Sequence, residues 1–271
     1  MEIRQVGIIA GKEFWDRIRN RWVLAVALVF TVFALVIAYF GGAQQGMVGF
    51  RSIEFTIASL VSLVIYLIPL IALVLGFDAI VGERERGSLD LLLSMPITRF
   101  ELLLGKYLGL AAALAFSTLA GFGLVAVVLS TQLSLNALFH YVGFILSSVL
   151  LGMAFLSLAV MLSVFAADRT RASGLAIALW FFFVLVFDLV LLGALVITGG
   201  QYGGAIFPYL LLLNPADVFR ILNIFSLEDV RTLYGLATVF PRGLAEPWLL
   251  TLVMLAWIAA PLGIAAWRFR K

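Results

Sequence analysis

Few groups in this chain can do chemistry, and the most informative of them sit in one short stretch. Glu83-Arg84-Glu85-Arg86 places charges of alternating sign in a row between two apolar runs. Such a row suits ion pairing and docking, since it holds neither a nucleophile nor a base positioned to activate one. Gly87-Ser88-Leu89-Asp90-Leu91-Leu92-Leu93-Ser94-Met95-Pro96 follows. It reads as one or two turns of amphipathic helix, with Leu89, Leu92 and Leu93 on one side and Pro96 as the stop. Thr98-Arg99-Phe100-Glu101 then carries the capping-box pattern that starts a new helix. A loop between two membrane helices needs only a few polar residues. A loop with its own amphipathic helix offers a surface that a soluble partner can grip.

Elsewhere the chemical inventory is thin. The chain has no cysteine, so disulfides, thiolate metal sites and cysteine nucleophiles are excluded. Its single histidine, His140, rules out a histidine-rich metal site within one chain. His140 with Met47, Met153 and Met161 makes a weak inventory for a soft metal such as Cu(I), and these methionines equally suit gap-filling in a helix bundle. Met153 and Met161 are spaced to share a helix face. Gly7-Ile8-Ile9-Ala10-Gly11-Lys12 imitates a phosphate-binding loop but is one residue short and lacks the Ser or Thr after lysine. No HExxH zinc pattern and no Gly-x-Ser-x-Gly elbow occurs. Asp188 is the deepest charge, well inside an apolar run where charge is costly. It either lines a pathway or relays a proton, or it is a structural acid paired with a neighbouring span. Asp78 is expected to join Arg84 and Arg86 in a charge cluster. Gly105-x-x-x-Gly109 permits close helix packing.

The elements that must position these groups are membrane helices. Of 271 residues, 64% are hydrophobic and 12% charged, far from the balance of a soluble domain. Apolar segments at Trp22–Phe40, Phe55–Val81, Phe100–Ser130, Leu135–Ala167, Ala172–Thr198 and Trp248–Trp267 each approach or exceed the ~20 residues that cross a ~30 Å hydrocarbon core. Residues 1–21 predict an amphipathic helix on the membrane surface, with Ile3, Val6, Ala10, Phe14 and Ile18 on one face. Arg4, Lys12, Arg17, Arg19 and Arg21 precede the first span, and Arg84, Arg86, Arg99, Lys106, Arg169, Arg171, Arg268, Arg270 and Lys271 mark every second connection and the end of the chain. The positive-inside rule therefore predicts both termini, 82–99 and 168–171 to be cytoplasmic, and 41–54, 131–134 and 199–247 external. Within 199–247, Asn214-Pro215-Ala216-Asp217 supplies an N-cap, a proline at the first helical position and an early acid, which predicts a short external helix to about Phe225. The run Ala205–Leu213 is too short to span and reads as re-entrant or interfacial. The organisation predicted is an amphipathic helix at 1–21 followed by one transmembrane domain over 22–271.

The chain resembles the membrane subunits of ABC-2 type (type V) ATP-binding-cassette transporters along its full length. The specific feature is residues 83–99, which are similar to the family's coupling-helix signature E-x-E-x-G-[ST]-L-[DE]-L-L-L-[ST]-x-P. Supporting features are the N-terminal helix with Lys12-Glu13-Phe14 and Arg17-Ile18-Arg19-Asn20-Arg21, and the Asn214-Pro215 helix before the last span. The resemblance implies an all-α fold of six transmembrane helices with an elbow helix and a coupling helix at 83–97. It also implies a non-catalytic subunit of the bacterial inner membrane, working as a homodimer with two cytoplasmic ATPases. No cofactor would belong to this chain; ATP and Mg would be bound by the ATPase. Glu83, Arg84, Glu85, Arg86, Gly87, Ser88, Leu89, Asp90, Leu92, Leu93 and Pro96 would dock in the ATPase groove, with Asp168, Arg169 and Arg171 as a second contact. Within the family the likeness is greatest to subunits of nitrous-oxide-reductase maturation transporters, which implies a periplasmic partner and a role in assembling copper sites. Nucleic acid is not an expected partner. An ABC-2 exporter of another substrate, a proton-coupled transporter using Asp188, an intramembrane enzyme and a passive anchor are the competing functions.

Overall fold

A computed structural model describes residues 2–19, 21–40, 53–130, 135–197, 206–224, 242–244 and 246–270. The segments 41–52 and 131–134, most of 199–247, and Met47 lie outside the described residues. The chain is an all-α membrane protein. Its helices are α1 (Ile3–Arg19), α2 (Trp22–Phe40), α3 (Ile53–Gly76), α4 (Val81–Glu85), α5 (Ser88–Leu93), α6 (Arg99–Ser130), α7 (Leu135–Phe165), α8 (Arg169–Phe181), α9 (Phe187–Ile197), α10 (Phe207–Leu211), α11 (Pro215–Ile224) and α12 (Pro247–Arg270). A π-helical turn, Phe182–Val186, joins α8 to α9 without ending the span. Five stretches are long and apolar enough to cross a membrane: Ile57–Glu85, Arg99–Val127, Leu138–Phe165, Arg169–Ile197 and Pro247–Arg270. The pair α1 and α2, bent by 62° to one another, makes a sixth candidate if the two are counted as one span.

The centre of the bundle is the α6–α7 pair. Helices α1 and α2 pack along α6, while α3 and α12 pack along α7. Small residues permit these approaches, because apolar association in lipid depends on close packing. A methyl group at Gly105 would lie 2.7 Å from Ile9 Cβ, and one at Gly109 would lie 2.5 Å from the Ala10 carbonyl oxygen. The Gly105/Gly109 pattern is therefore the seat of α1. Phe30 stacks on Phe122 at 4.9 Å to fix α2 against α6. Several polar contacts between elements reach backbone carbonyls: Tyr107 donates to Met153 O, Ser157 to Trp257 O, and Trp257 to Leu212 O.

Two elements pack in ways the sequence did not announce. The Asn214-Pro215 helix, α11, is almost wholly buried and packs against α3, α7 and α12. Its apolar side chains Val218, Phe219, Ile221 and Ile224 join the core, and its polar groups find partners there. In α1, the buried residues are Val6 and Glu13, while Ile3 and Ile8 are exposed. Of the apolar stripe read from the sequence, Ile3 is exposed, Val6 buried and Ala10, Phe14 and Ile18 half-buried, and a charged residue, Glu13, sits at the contact with α6. Residues 7–12 lie in the middle of α1 and form no phosphate-binding loop.

Candidate functional site

The charged stretch folds into a compact hub at one end of the bundle. Four turn residues, 77–80, end α3 and lead into α4. The first backbone N–H groups of α4 would be unsatisfied inside the protein. Ser163 of α7 accepts from both Ile80 N and Val81 N, at 2.9 and 3.0 Å. In return Arg84 donates to the carbonyls of Ala166 and Val164, at 3.0 and 3.4 Å, where the last turn of α7 leaves acceptors free. Gly87 follows with φ of +71°, a conformation that strains any side chain, and turns the chain from α4 into α5. Ser88 reaches back to the Glu83 carboxylate and carbonyl and closes the turn. Beyond α5, Thr98 and Glu101 make the reciprocal capping box: Glu101 N donates to Thr98 Oγ1, and Thr98 N donates to Glu101 Oε2.

Beneath α4 lies a buried ion triad. Lys106 on α6 contacts Glu13 of α1 at 2.8 Å and Glu83 of α4 at 2.9 Å. The side chains are 5%, 9% and 15% exposed, respectively, so water screens them little. One ammonium thus ties together the surface helix, a span and the charged turn. Neither Glu13 nor Lys106 was singled out as a site residue from sequence. The available signal was Glu13 at the register of a face that otherwise reads as apolar, and a lysine just beyond Gly105.

The loop 168–171 joins the same hub. Asp168 caps α8 by accepting from Arg171 N at 2.7 Å. Arg169 pairs with Asp78 at 2.9 Å, and its backbone N–H donates to Glu85. Asp78 was expected to join Arg84 and Arg86 in a charge cluster. Arg86 borders the same small pocket, the ion pair of Asp78 is with Arg169, and Arg84 is committed to the end of α7. The two stretches picked out as separate contacts, 83–97 and 168–171, are therefore bonded into one surface.

That surface shows a face different from the one expected. Leu89 is buried, and Leu92 and Leu93 pack partly buried against the core. They hold α5 to the bundle, and Leu92 and Leu93 also border grooves on either side of it. The Glu83 carboxylate is likewise taken up by Lys106 and Ser88. The outward residues are Asp90, Leu91, Ser94, Met95 and Pro96, with Leu91 67% and Met95 51% exposed. An amphipathic helix of six residues has two candidate apolar sides when Leu91 interrupts the polar face. Packing has chosen the side with three leucines for the core. Beside Met95 an apolar groove of about 260 Å³ runs between α1 and α5, lined by Ile8, Ile9, Leu92 and Ile97 among others.

Asp188 lies just after the π-helical turn and pairs with Arg220 of α11 at 3.1 Å. Arg220 also holds Asp217, at 2.6 Å. Asn214 caps α11 through Ala216 N and donates to Asp217 and to the Phe183 carbonyl within the π turn. A π turn displaces carbonyls from the regular ladder, and Asn214 satisfies one of them. Asp188 and Arg220 are about a third exposed on a helix whose surface is otherwise apolar. Arg220 was read as an external-loop residue, which hid this partner from the sequence.

Among the described residues the soft-metal candidates His140, Met153 and Met161 do not converge. His140 lines a cavity of about 550 Å³ with Ser147, Asn223 and Thr251. Met153 lies thirteen residues further along α7, about 20 Å away at 1.5 Å per residue. Met161 is about 12 Å beyond that. Among the described residues no group of His, Asp and Glu is arranged to hold a metal.

A family profile described as "ABC-2 family transporter protein" matches residues 8–271. The protein named "Probable ABC transporter permease protein NosY" from Stutzerimonas stutzeri is 45% identical over 276 residues, covering 99% of each chain. The protein of the same name from Pseudomonas aeruginosa is 44% identical over 275 residues, covering 98% of each.

Proposed function

The chain belongs to the ABC-2 family of transporter proteins and is a permease subunit of an ABC transporter; from that premise we propose that it couples ATP hydrolysis by a separate cytoplasmic ATPase to a rearrangement of its spans. The observation that carries this reading is the hub at α4 and α5. A short helix presents Asp90, Leu91 and Met95 outward. Its base is tied by hydrogen bonds and ion pairs to α1, α6, α7 and the start of α8. A push on such an element reaches four helices at once. Arg86, on the turn after α4, lies beside Asp78 and extends the charged rim. Asp168, Arg169 and Arg171 widen the docking surface.

Two copies of the subunit would pair with two ATPases. The face formed by α8 and α9 suits the contact between copies. Leu175, Ile177, Phe181, Phe182, Leu189 and Leu192 are exposed on it in a single chain. The partly exposed Asp188–Arg220 pair would be costly against lipid and is better placed at an interface or an aqueous path. Both termini and the hub would be cytoplasmic. The likeness to NosY proteins supports service in the maturation of the copper sites of nitrous oxide reductase, with a periplasmic partner. Because His140, Met153 and Met161 are far apart, that partner would supply most of any copper ligands. Asp188, neutralised by Arg220, fits a moving interface better than a proton relay.

The test is co-purification with an ABC ATPase subunit produced together with this chain. Leu91→Asp with Met95→Asp should release the ATPase and leave the spans folded. Exposed anchors of this kind each contribute on the order of 2 kcal/mol at an interface. Retention of the ATPase at wild-type yield would remove α5 as the docking element.

A further inference from the structure

On the side of α5 away from the α1 groove, a second cavity of about 530 Å³ opens between α5, the end of α7 and the end of α12. Its lining brings together Arg84, Arg99 and Arg268, opposed by the single carboxylate of Asp90. None of these four side chains makes an ion pair among the described residues. Two of the three guanidinium groups are nonetheless fixed. Arg84 is anchored on the carbonyls of Val164 and Ala166, and Arg99 on the carbonyl of Phe269 at 3.0 Å, its guanidinium 5.7 Å above the Phe269 ring. A guanidinium carries five N–H donors, so each retains donors for a ligand. An excess of fixed positive charge therefore surrounds a space large enough for an anion and its substituents.

The level of the cavity decides which anion. It sits where α7 and α12 end, at Phe165 and Arg268. Phe165 and Trp267 are exposed there, as aromatic side chains are at the boundary between hydrocarbon and headgroups. Leu89, Leu93 and Phe269 give the cavity an apolar floor. Basic pockets between membrane helices at this depth are suited to anionic lipid headgroups. Asp90 would repel a bare phosphate dianion but can accept from a headgroup hydroxyl.

We propose that this cavity binds the phosphodiester of an anionic, hydroxyl-bearing phospholipid headgroup, with the acyl chains lying past Phe165. The lipid would brace α5 against α12. This reading rests on the membrane placement of the helices and stands whether or not an ATPase docks on α5.

The experiment uses the full chain reconstituted in nanodiscs of phosphatidylcholine with phosphatidylglycerol, then extracted in mild detergent and weighed by native mass spectrometry. The wild type should retain phosphatidylglycerol preferentially. Arg99→Gln and Arg268→Gln should each lower retention about fivefold, as expected for one basic residue at an anionic surface. Arg19→Gln, which also removes a surface arginine but lies on α1 outside the cavity, should leave it unchanged. Arg268 is on the exposed last turn of α12, so its variant decides the matter even if Arg99→Gln fails to fold. Equal retention by all variants overturns the proposal. Release of the lipid by inorganic phosphate would mean a free-anion site, and release by added ATPase would mean a site for an acidic side chain of the ATPase; either result overturns the lipid assignment.

Discussion

Replacing Lys106 with methionine should be the most damaging single change at the hub. The substitution keeps the aliphatic stem and removes the charge that neutralises Glu13 and Glu83. All three side chains are at most 15% exposed. Removing one partner of a buried pair costs about 3–5 kcal/mol, because the remaining charge is left desolvated. Glu13 keeps a weaker contact with Lys12 at 3.4 Å, and Glu83 keeps the Ser88 hydroxyl. The expected loss is therefore near the lower limit, about 3 kcal/mol. The assay is equilibrium unfolding in mixed micelles, with helicity as the readout. A triple variant, Lys106→Met with Glu13→Gln and Glu83→Gln, removes every charge of the triad and should recover stability to within about 1 kcal/mol of wild type. It should still lose stimulation of the ATPase, since α4 is no longer tied to α1. A single variant within 1 kcal/mol of wild type, or a triple variant no better than the single, would refute the electrostatic account of the triad.

Asp188→Asn should preserve assembly and lower transport-linked ATP hydrolysis, whereas Arg220→Met should impair assembly itself, because it strands both Asp188 and the buried Asp217; purification yield and ATPase rate of the two variants distinguish these roles, and equal effects would contradict the proposed asymmetry. Single cysteines are informative in a chain that has none. At Gln45 and Tyr202 they should react with an impermeant thiol reagent in intact cells, while at Arg86 and Thr170 they should be spared; the reverse pattern would invert the orientation.

The spans were legible because apolar length dominates every other signal in a bilayer. The capping box at Thr98 and Glu101 was legible for a different reason, since it is closed within four residues of sequence. What escaped was decided by packing between distant segments. Leu89, Leu92 and Leu93 were read as facing a partner, but a short helix carrying four leucines, with Leu91 on its outer side, does not reveal which side its own bundle covers. Glu13 and Lys106 are separated by the first two spans, so no local pattern links them. The Asp188–Arg220 pair depended on α11 folding inward. The cap at Asn214 announced that helix, and nothing in its sequence fixed its depth. The Gly105/Gly109 spacing was visible, yet its partner α1 became apparent only from the close approach of Ile9 and Ala10.

The central claim is that α5 touches the ATPase and moves with it. A single cysteine at Leu91, with a second introduced on the groove of the ATPase, can be joined by a short bismaleimide in membranes. The account predicts an efficient cross-link at Leu91 whose yield changes when ATP is added, and little cross-link from a cysteine at Leu93, which packs inward. A cross-link from Leu93 with none from Leu91, or a Leu91 cross-link indifferent to ATP, would contradict it.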